Sequence, residues 1–574
     1  MSASPRLRAA AVVLAVGILL LGASAVLPRS TSPAQPGLSP SPSPSGDAVP
    51  SLTTAAATPE APTPVPTPAG PPRVRALAGR EVFGFLPYWK LGQPNTNLDL
   101  KQLTTIAYFG VEAHQDGHLI RVSKSGAVPQ GWAGFESQAF ADMLTAAHAA
   151  HVRVVLTVQR FAWTGGQARR TVKLLQSPAA RSSLVRDIVA VVKDRGIDGI
   201  NLDWEPVPSA VRDDFTTFVR ELRAGLDGVH EGLQLTFDLT TSLSSYDLPA
   251  LTADDGADAA LVMGYDYRVA TATRAGSTAP LDTGNAGFGL RATVAEALTV
   301  VAPEHVILGL PWYGRAWSTA SADAHALTQD PATFGASQTV EYVASLEQAM
   351  LTGRLYDEAE ATAWSVYQAV ACRGCPETWR QIWYDDVDSF RTKVGLALDQ
   401  GLRGVGIWAL GDDGDHPELW SALRLALGTA TDTKAPSGTA TLDPTLDPAL
   451  AGKKEQGLPV VQGVAHLALV PNDGTSGSGP AFVRVSDLAD VADGQLVSGR
   501  TYPSLPSLDV SLADPAIGGS ADSGKRTVYV QWRDVAGNWS NVVSVQVWNK
   551  RAPAASPSPS PSPEPIPSVT PPPY

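Results

Sequence analysis

Three polar residues alternate with apolar ones in residues 197–206, which read IDGINLDWEP. Side chains of a β-strand point alternately to its two faces, so Asn201, Asp203 and Glu205 share one face. Burying such a row of polar side chains is costly unless they are hydrogen-bonded, paired with another charge or needed for function. A solvated strand end is the alternative, but the apolar opposite face favours a buried strand. Two neighbouring carboxyl groups suit general acid–base catalysis, because each disfavours ionisation of the other and one stays protonated.

The segments around this row predict the fold that positions it. Apolar runs without clean alternation are typical of parallel strands buried on both faces. Helical stretches between them carry apolar stripes, such as Leu184, Ile188 and Val191 before a stop at Gly196. Eight such units over roughly 350 residues predict an α/β fold, a (β/α)8 TIM barrel with Glu205 at the rim where active sites lie. The doubly wound alternative lacks its glycine-rich dinucleotide motif. The eight runs are 82–85, 105–109, 152–158, 197–204, 233–239, 260–263, 306–310 and 404–408.

The rest of the chain divides by composition. The long gap before the last run predicts an α+β insertion at about 316–380, within a barrel domain of residues 78–428. Its Trp364, Tyr367 and Trp379 either line a cleft or form a small core. Residues 429–458 predict a polar linker, and 459–549 a β-sandwich accessory module with a hairpin around RDVAGNWSN. We expect the barrel and the module to be independent units. Two tryptophans of the module either stack on sugars or belong to its core, namely Trp532 and Trp539.

The two ends predict export. Residues 1–27 combine two early arginines with an apolar run and an A-x-A site. This pattern indicates a secretory signal peptide, with an uncleaved membrane anchor as the alternative. Of the 47 prolines, 24 lie in 28–72 and 551–574, so 28–77 and 550–574 predict disordered stalks. We therefore expect a protein that is secreted or tethered outside the cytoplasmic membrane.

Charge and composition exclude several functions. A net charge of −13 argues against a nucleic-acid partner but not against a neutral polysaccharide. Among the nine histidines only His114 and His118 stand four residues apart, and we expect no catalytic metal and no cofactor. The acids in residues 411–415 depart from a calcium-loop spacing and are expected to be solvated. Cys372 and Cys375 suit a redox motif, half a zinc site or a disulfide, and an exported protein favours the disulfide.

Five ordered motifs within residues 80–428 resemble glycoside hydrolase family 18, the chitinase family. The run DGINLDWE resembles its signature D-G-x-D-x-D-x-E. FGFLPYW, MGYDY and GLPWYGRAW resemble its first, sixth and seventh strands, and residues 382–413 resemble its closing segment. The resemblance implies that Glu205 is the general acid and then the base, that Asp203 orients the substrate's N-acetyl group, and that Tyr265 binds the acetamido oxygen. It implies substrate contacts from a further set: Asn201, Met263, Asp266, Trp408, Tyr88, Trp312, Tyr313 and Arg315.

Asn201 departs from the pattern, because many chitinases have aspartate there. An amide cannot share a proton with Asp203, which leaves the proton relay open. The asparagine form resembles lysosomal chitobiases and spore-type peptidoglycan hydrolases of the family. The sequence thus predicts a monomeric retaining hydrolase of β-1,4-linked N-acetylglucosamine glycans, chitin or peptidoglycan. The alternatives are a non-catalytic glycan-binding protein, which would not need Glu205, and an adhesin in which the barrel is a spacer.

Overall fold

The computed structural model describes residues 79–284, 288–443, 445–447 and 449–550. The predicted signal peptide or anchor, the first stalk and all of the second but Lys550 lie outside these ranges. Within them, none of the helices combines the length and apolarity needed to cross a bilayer.

Eight parallel strands close into a barrel, which confirms the predicted fold class. Their order around the barrel is β1-β13-β7-β6-β5-β4-β3-β2. Each coincides with one of the eight predicted runs. The strands are β1 Glu81–Pro87, β2 Thr105–Glu112, β3 Arg153–Phe161, β4 Gly199–Glu205, β5 Gln234–Leu239, β6 Ala259–Met263, β7 Val306–Pro311 and β13 Gly404–Trp408.

Most helices cover the outside of the barrel and bury their apolar stripes against it, while α8 and α9 belong to the insertion. Pro178–Arg195 begins at Ser177, whose side chain accepts from the Ala180 N–H, and ends at Gly196 with φ 64°. The helices are α1 Gln130–Phe135, α2 Gln138–Ala149, α3 Gly165–Leu175, α4 Pro178–Arg195, α5 Arg212–Asp227, α6 Leu248–Leu251, α7 Leu290–Ala297, α8 Pro331–Phe334, α9 Tyr342–Thr352, α10 Val387–Asp399 and α11 Glu418–Ala426.

The first two residues of the D-G-x-N-x-D-x-E run set the position of β4. The Asp198 carboxylate accepts from the His148 ring at 2.8 Å and the Val154 N–H at 2.7 Å, which ties β4 to α2 and β3. Gly199 has φ 153°, and a Cβ there would lie 2.0 Å from the Gln234 carbonyl oxygen. Only glycine allows β4 to approach β5 so closely.

The insertion between β7 and β13 is an α+β unit, as predicted. Its antiparallel sheet has the order β10-β11-β12-β8-β9, with α8 and α9 beside it. Trp364 stacks on Trp383 at 5.0 Å within an apolar cluster, so this aromatic forms a core and not a cleft wall. The sheet begins before the predicted start, because its first strand follows β7 after one residue. The strands are β8 Tyr313–Thr319, β9 Gln338–Glu341, β10 Leu355–Asp357, β11 Thr362–Val370 and β12 Glu377–Tyr384.

The C-terminal part forms two main sheets, β14-β17-β22 and β15-β16-β24-β23-β18-β21, plus the pair β19-β20. Residues of both main sheets share one apolar core that contains Trp532, which confirms an all-β sandwich. Two strands lie in the predicted linker, whose small polar residues resemble a connector; the sandwich therefore begins near 437. The strands are β14 Ser437–Leu442, β15 Lys454–Glu455, β16 Leu458–Val461, β17 Val464–Asn472, β18 Pro480–Ser486, β19 Val491–Ala492, β20 Gln495–Leu496, β21 Arg500–Pro503, β22 Ser507–Ser511, β23 Gly524–Asp534 and β24 Val543–Asn549.

The barrel and the sandwich share an interface, which the expectation of independent units did not include. Phe482 on β18 is buried in the same apolar cluster as the barrel helices. The guanidinium groups of Arg354 and Arg533 lie over its ring at 4.6 and 4.8 Å. Asp388 at the start of α10 pairs with both arginines. Single residues scattered over three distant segments form this contact, and they leave no pattern in the linear sequence.

We expect removal of residues 429–574 to lower the melting temperature of the barrel, because the cut exposes the surface that Phe482 covers. Truncating a buried phenylalanine typically costs about 3–5 kcal/mol, so Phe482→Ala should destabilise the full chain measurably. Calorimetry of the full chain should show barrel and sandwich unfolding together. Val491→Ala, at an exposed position of the sandwich, is the matched control. A barrel transition that is unchanged in the shortened chain would contradict this expectation.

Candidate active site

The polar row of β4 lies inside the barrel, as the alternation predicts. Asn201, Asp203 and Glu205 are 0, 3 and 7% exposed, so none is a solvated strand end. The Asp203 carboxylate is hydrogen-bonded by the side chains of Gln159 and Glu205. Because a carboxylate can only accept, the bond between the two acids requires a proton, which Glu205 donates.

Burial and mutual repulsion keep the acid of this pair protonated. The pKa of Glu205 is raised well above its usual range, first by burial and then by the neighbouring Asp203 charge. Burial raises the pKa of Asp203 to about 6, while the hydrogen bonds from Glu205 and Gln159 oppose the rise. The two groups therefore ionise in order, Asp203 first and Glu205 later. At neutral pH this gives one carboxylate beside one acid.

Asn201 is held in a network that links three neighbouring strands. The Thr236 hydroxyl donates to Asn201 Oδ1 at 2.7 Å, and Asn201 Nδ2 donates to Asp238 Oδ2 at 2.7 Å. Nδ2 also lies 3.4 Å from Thr157 Oγ1. Burial and then the Asp203 charge raise the pKa of Asp238 well above its usual range. Position 201 is thus an amide that donates to an acid on β5.

The residues after β6 and β7 meet at Asp266, beside the carboxyl row. The Tyr313 hydroxyl donates to Asp266 Oδ1 at 2.7 Å, and Arg315 Nη2 lies 3.6 Å from the same oxygen. Thr278 Oγ1 donates to it at 3.2 Å. The Tyr265 ring lies 6.1 Å from that of Tyr313. Burial raises the pKa of the Tyr265 hydroxyl well above its usual range, and the neighbouring Asp238, Tyr313 and Glu205 raise it further. The structure thus brings these sequence-predicted residues together.

Aromatic side chains form an apolar floor beneath the row. Trp408, half-buried at the end of β13, packs against Phe85 and Phe109 at 5.3 and 4.6 Å. Met263 borders the same interior cluster. The first-strand side is formed by Trp89, whose ring lies 6.1 Å from that of Phe109. Such a surface, apolar and half-open, can accept the face of a sugar ring.

The structure places two of the predicted substrate contacts, Trp312 and Tyr88, on the outer side of the barrel and not in its interior. Trp312 is buried on the outer side of the barrel wall, where its ring packs against Trp420 at 4.8 Å and Phe390 at 6.0 Å. Its neighbour Tyr313 points inward, so strand alternation sends Trp312 outward. Tyr88 packs towards the outer core and α1, and Trp89 takes the interior position.

Two other expectations are settled by local contacts. Cys372 and Cys375 form a disulfide bond in the turn between β11 and β12. Asp412 and Asp413 are buried, so the expectation of solvated acids is wrong for both. Asp412 pairs with Lys90 at 3.1 Å, and Asp413 accepts from the Trp420 indole at 2.8 Å. They stabilise the loop after β13.

Gln159, Asp238 and Trp89 were missed by the sequence reasoning, although each carries a signal. Asp238 is a polar residue at an inward position of the predicted run 233–239, and Gln159 directly follows the predicted run 152–158 with the same inward parity. Trp89 continues the inward alternation of the Phe83 and Phe85 positions. Counting inward polar residues on every strand would have found the first two.

One further acidic group lies in the sandwich and its connector. Asp432, Asp473 and Asp534 present carboxylate oxygens within 4.8 Å of one another, a spacing that can hold a metal ion. Each also accepts a backbone N–H at 2.7 Å, from Ser478, Gly479 and Gly537 respectively. These hydrogen bonds to backbone N–H groups stabilise turns, which explains the presence of the three acids.

Known proteins are similar to this chain in sequence or in fold. Di-N-acetylchitobiase of Rattus norvegicus is 26% identical over 310 residues, which are 49% of this chain and 79% of the relative. The putative sporulation-specific glycosylase YdhD of Bacillus subtilis is 27% identical over 245 residues, 42% of this chain and about half (53%) of its own length. The solved chitinase ChiA74 from Bacillus thuringiensis has a TM-score of 0.50 at 16% identity, over 82% of this chain and 84% of that one; it supports the fold. The family described as glycosyl hydrolases family 18 matches residues 81–413, and this chain belongs to it.

Proposed function

We propose that this chain is a retaining glycosidase that cleaves β-1,4-linked N-acetylglucosamine glycans, with the substrate's own acetamide as the nucleophile. The observation that carries the proposal is the Asp203–Glu205 pair, in which a buried, protonated acid is hydrogen-bonded to a carboxylate at the carboxyl-end rim of β4. Relatives named as a di-N-acetylchitobiase and as chitinases support this substrate class.

The geometry of the pair favours substrate assistance. Retaining glycosidases with a protein nucleophile place two carboxyl groups about 5–5.5 Å apart, on either side of the bond. Asp203 is instead bonded directly to Glu205 on the same strand face, so it does not stand across the sugar from the acid. An N-acetyl group can supply the missing nucleophile, which is the known exception to the two-carboxylate scheme.

Each side chain then has a role in the proposed reaction. Glu205 protonates the leaving oxygen while the acetamide oxygen attacks the anomeric carbon and forms an oxazolinium ion. Asp203 holds the acetamide N–H and stabilises the positive charge, and the Tyr265 hydroxyl steadies the acetamide oxygen. The face of the sugar rests on Trp408. Glu205, now a carboxylate, removes a proton from the water that opens the oxazolinium, which retains the anomeric configuration.

Hydrolysis of defined substrates tests the proposal. Purified full-length chain should release N-acetylglucosamine oligomers from chito-oligosaccharides of three to six sugars, as read by chromatography. Parallel digests of chitin and of cell-wall sacculi then separate the two polymers by their products. A protein that binds these oligomers but cleaves none of them would instead be the glycan-binding alternative. Both polymers lie outside the cytoplasm, so we also propose export through the N-terminal segment.

A further inference from the structure

Asn201 stands where the family pattern has an acid, and its two hydrogen bonds connect it to an acid on the next strand. The Thr236 hydroxyl occupies Asn201 Oδ1, so the amide nitrogen is directed at Asp238 Oδ2. An amide used in this way serves as a fixed donor for a carboxyl group on the next strand. The acid missing from β4 therefore has a counterpart on β5.

Strand register brings Asp238 beside Asp203. Asn201 pairs with Thr236, and Leu202 with Phe237, so the next residues of β4 and β5 lie at the same level. Neighbouring strands are about 4.7–4.9 Å apart, and both side chains point into the barrel. Each of the two carboxyl groups has one buried oxygen, Oδ1, with no hydrogen-bond partner in the described part of the chain. Two such oxygens can satisfy each other only if one of them carries a proton.

The charges around Asp238 favour a proton there. Asp203 and Glu205 face it from β4, Tyr246 from the loop after β5, and Tyr265 from the segment after β6. Among the described residues, no arginine, lysine or histidine forms a salt bridge with these three carboxyl groups. Burial and the Asp203 charge raise the pKa of Asp238 well above its usual range, and the Asn201 bond only opposes this. Asp203, with a pKa of about 6, therefore ionises while Asp238 keeps its proton.

We propose that Asp238 is the third acid of this site: its protonated Oδ1 donates to Asp203 Oδ1 and stabilises the Asp203 carboxylate, while Asn201 holds Asp238 in place. Asp238 is a positioning residue, since it acts through Asp203 and does not touch the substrate. An O–H donor to a carboxylate makes a shorter and stronger bond than a neutral amide donor does. The bond strengthens the charge that faces the oxazolinium, so this inference rests on the proposed function.

Exchange of the acid and the amide tests the assignment with isosteric side chains. We expect Asp238→Asn to lower kcat about 3- to 30-fold with little change in KM, because a weaker amide donor replaces the O–H, a loss in the range of one charge-assisted hydrogen bond. It should also move the acid limb of the kcat–pH profile to higher pH, because the Asp203 carboxylate loses the O–H donor that stabilises it. The double variant Asn201→Asp/Asp238→Asn returns the acid to β4 and should recover most of kcat and of the acid limb. Asp413→Asn is the control for a buried aspartate outside the site.

Infrared difference spectroscopy detects the proton on Asp238 in the absence of substrate turnover. Wild-type protein near pH 7 should show the carbonyl stretch of a protonated carboxylic acid that Asp238→Asn removes. Absence of this difference, or an Asp238→Asn variant with unchanged kcat and pH profile, would overturn the assignment. So would an exchange variant no more active than Asp238→Asn with an unchanged melting temperature. A wild-type chain that shows the band but cleaves no N-acetylglucosamine oligomer would contradict the proposed function and leave the proton assignment standing.

Discussion

Glu205→Gln should lower kcat on chito-oligosaccharides by about 10²–10⁴-fold, the usual contribution of general acid–base catalysis. Glutamine keeps the size of the side chain and its place above Asp203 but has no acidic proton to give to the leaving oxygen. Binding should survive, because the aromatic floor at Trp408 and the contacts around Asp266 are untouched. Steady-state kinetics measure the first effect, and calorimetric titration with an uncleaved oligomer measures the second.

The matched control is Glu231→Gln, at an exposed turn before β5, which should keep full activity. A Glu205→Gln variant with turnover close to that of the wild type would exclude Glu205 as the acid. If the variant no longer bound the oligomer and also had a lower melting temperature, Glu205 would have a structural role instead. Asp203→Asn is informative as a comparison, because it leaves the acid in place and removes the charge beside it.

The pH dependence of kcat/KM in the wild type also tests the roles of Asp203 and Glu205. Asp203 must be a carboxylate, so activity should appear as pH rises through about 6. Glu205 must be protonated, so activity should fall as pH rises through its raised pKa. The expected profile of kcat/KM is therefore a bell, with a neutral plateau that two unperturbed carboxyl groups would not give. An optimum below pH 4 would contradict this order of ionisation.

The barrel was predictable because its strands carry their own signal. Each parallel strand is buried on both faces, so its sequence is apolar throughout, and a polar residue such as Asp203 stands out. The acid pair could be located by alternation alone, since β4 places residues of the same parity inside the barrel. The insertion boundaries were harder, because β8 continues almost directly from β7 and no break in composition marks the change of sheet.

What the sequence could not give depends on contacts between distant segments. Trp312 and Trp89 are both rim tryptophans in the sequence, and only the path of the chain after β1 and β7 sends one inward and the other outward. The interface at Phe482 combines Arg354 of the insertion, Asp388 of α10 and Arg533 of the sandwich, which no local pattern connects. Asp238 was visible as an inward polar residue, but its significance depends on the register with Asn201.

The substrate's acetamide should be indispensable to cleavage. If it is the nucleophile, fully de-N-acetylated oligomers should be hydrolysed more than about 10³-fold more slowly than acetylated oligomers of equal length, since well-oriented internal groups reach effective molarities of about 10⁵–10⁸ M. A thiazoline analogue of the oxazolinium should inhibit competitively, because in the proposed reaction Asp203 and Tyr265 bind that ring and its charge. The deacetylated oligomer itself, added as a competitor, shows whether it still binds. NMR of the first product formed should show the β-anomer, because two successive displacements retain configuration. A first product with the α-anomer would mean that water attacks directly, and in that case the Asp203–Glu205 pair would have to act as an acid and a base on opposite faces, which their shared hydrogen bond does not allow.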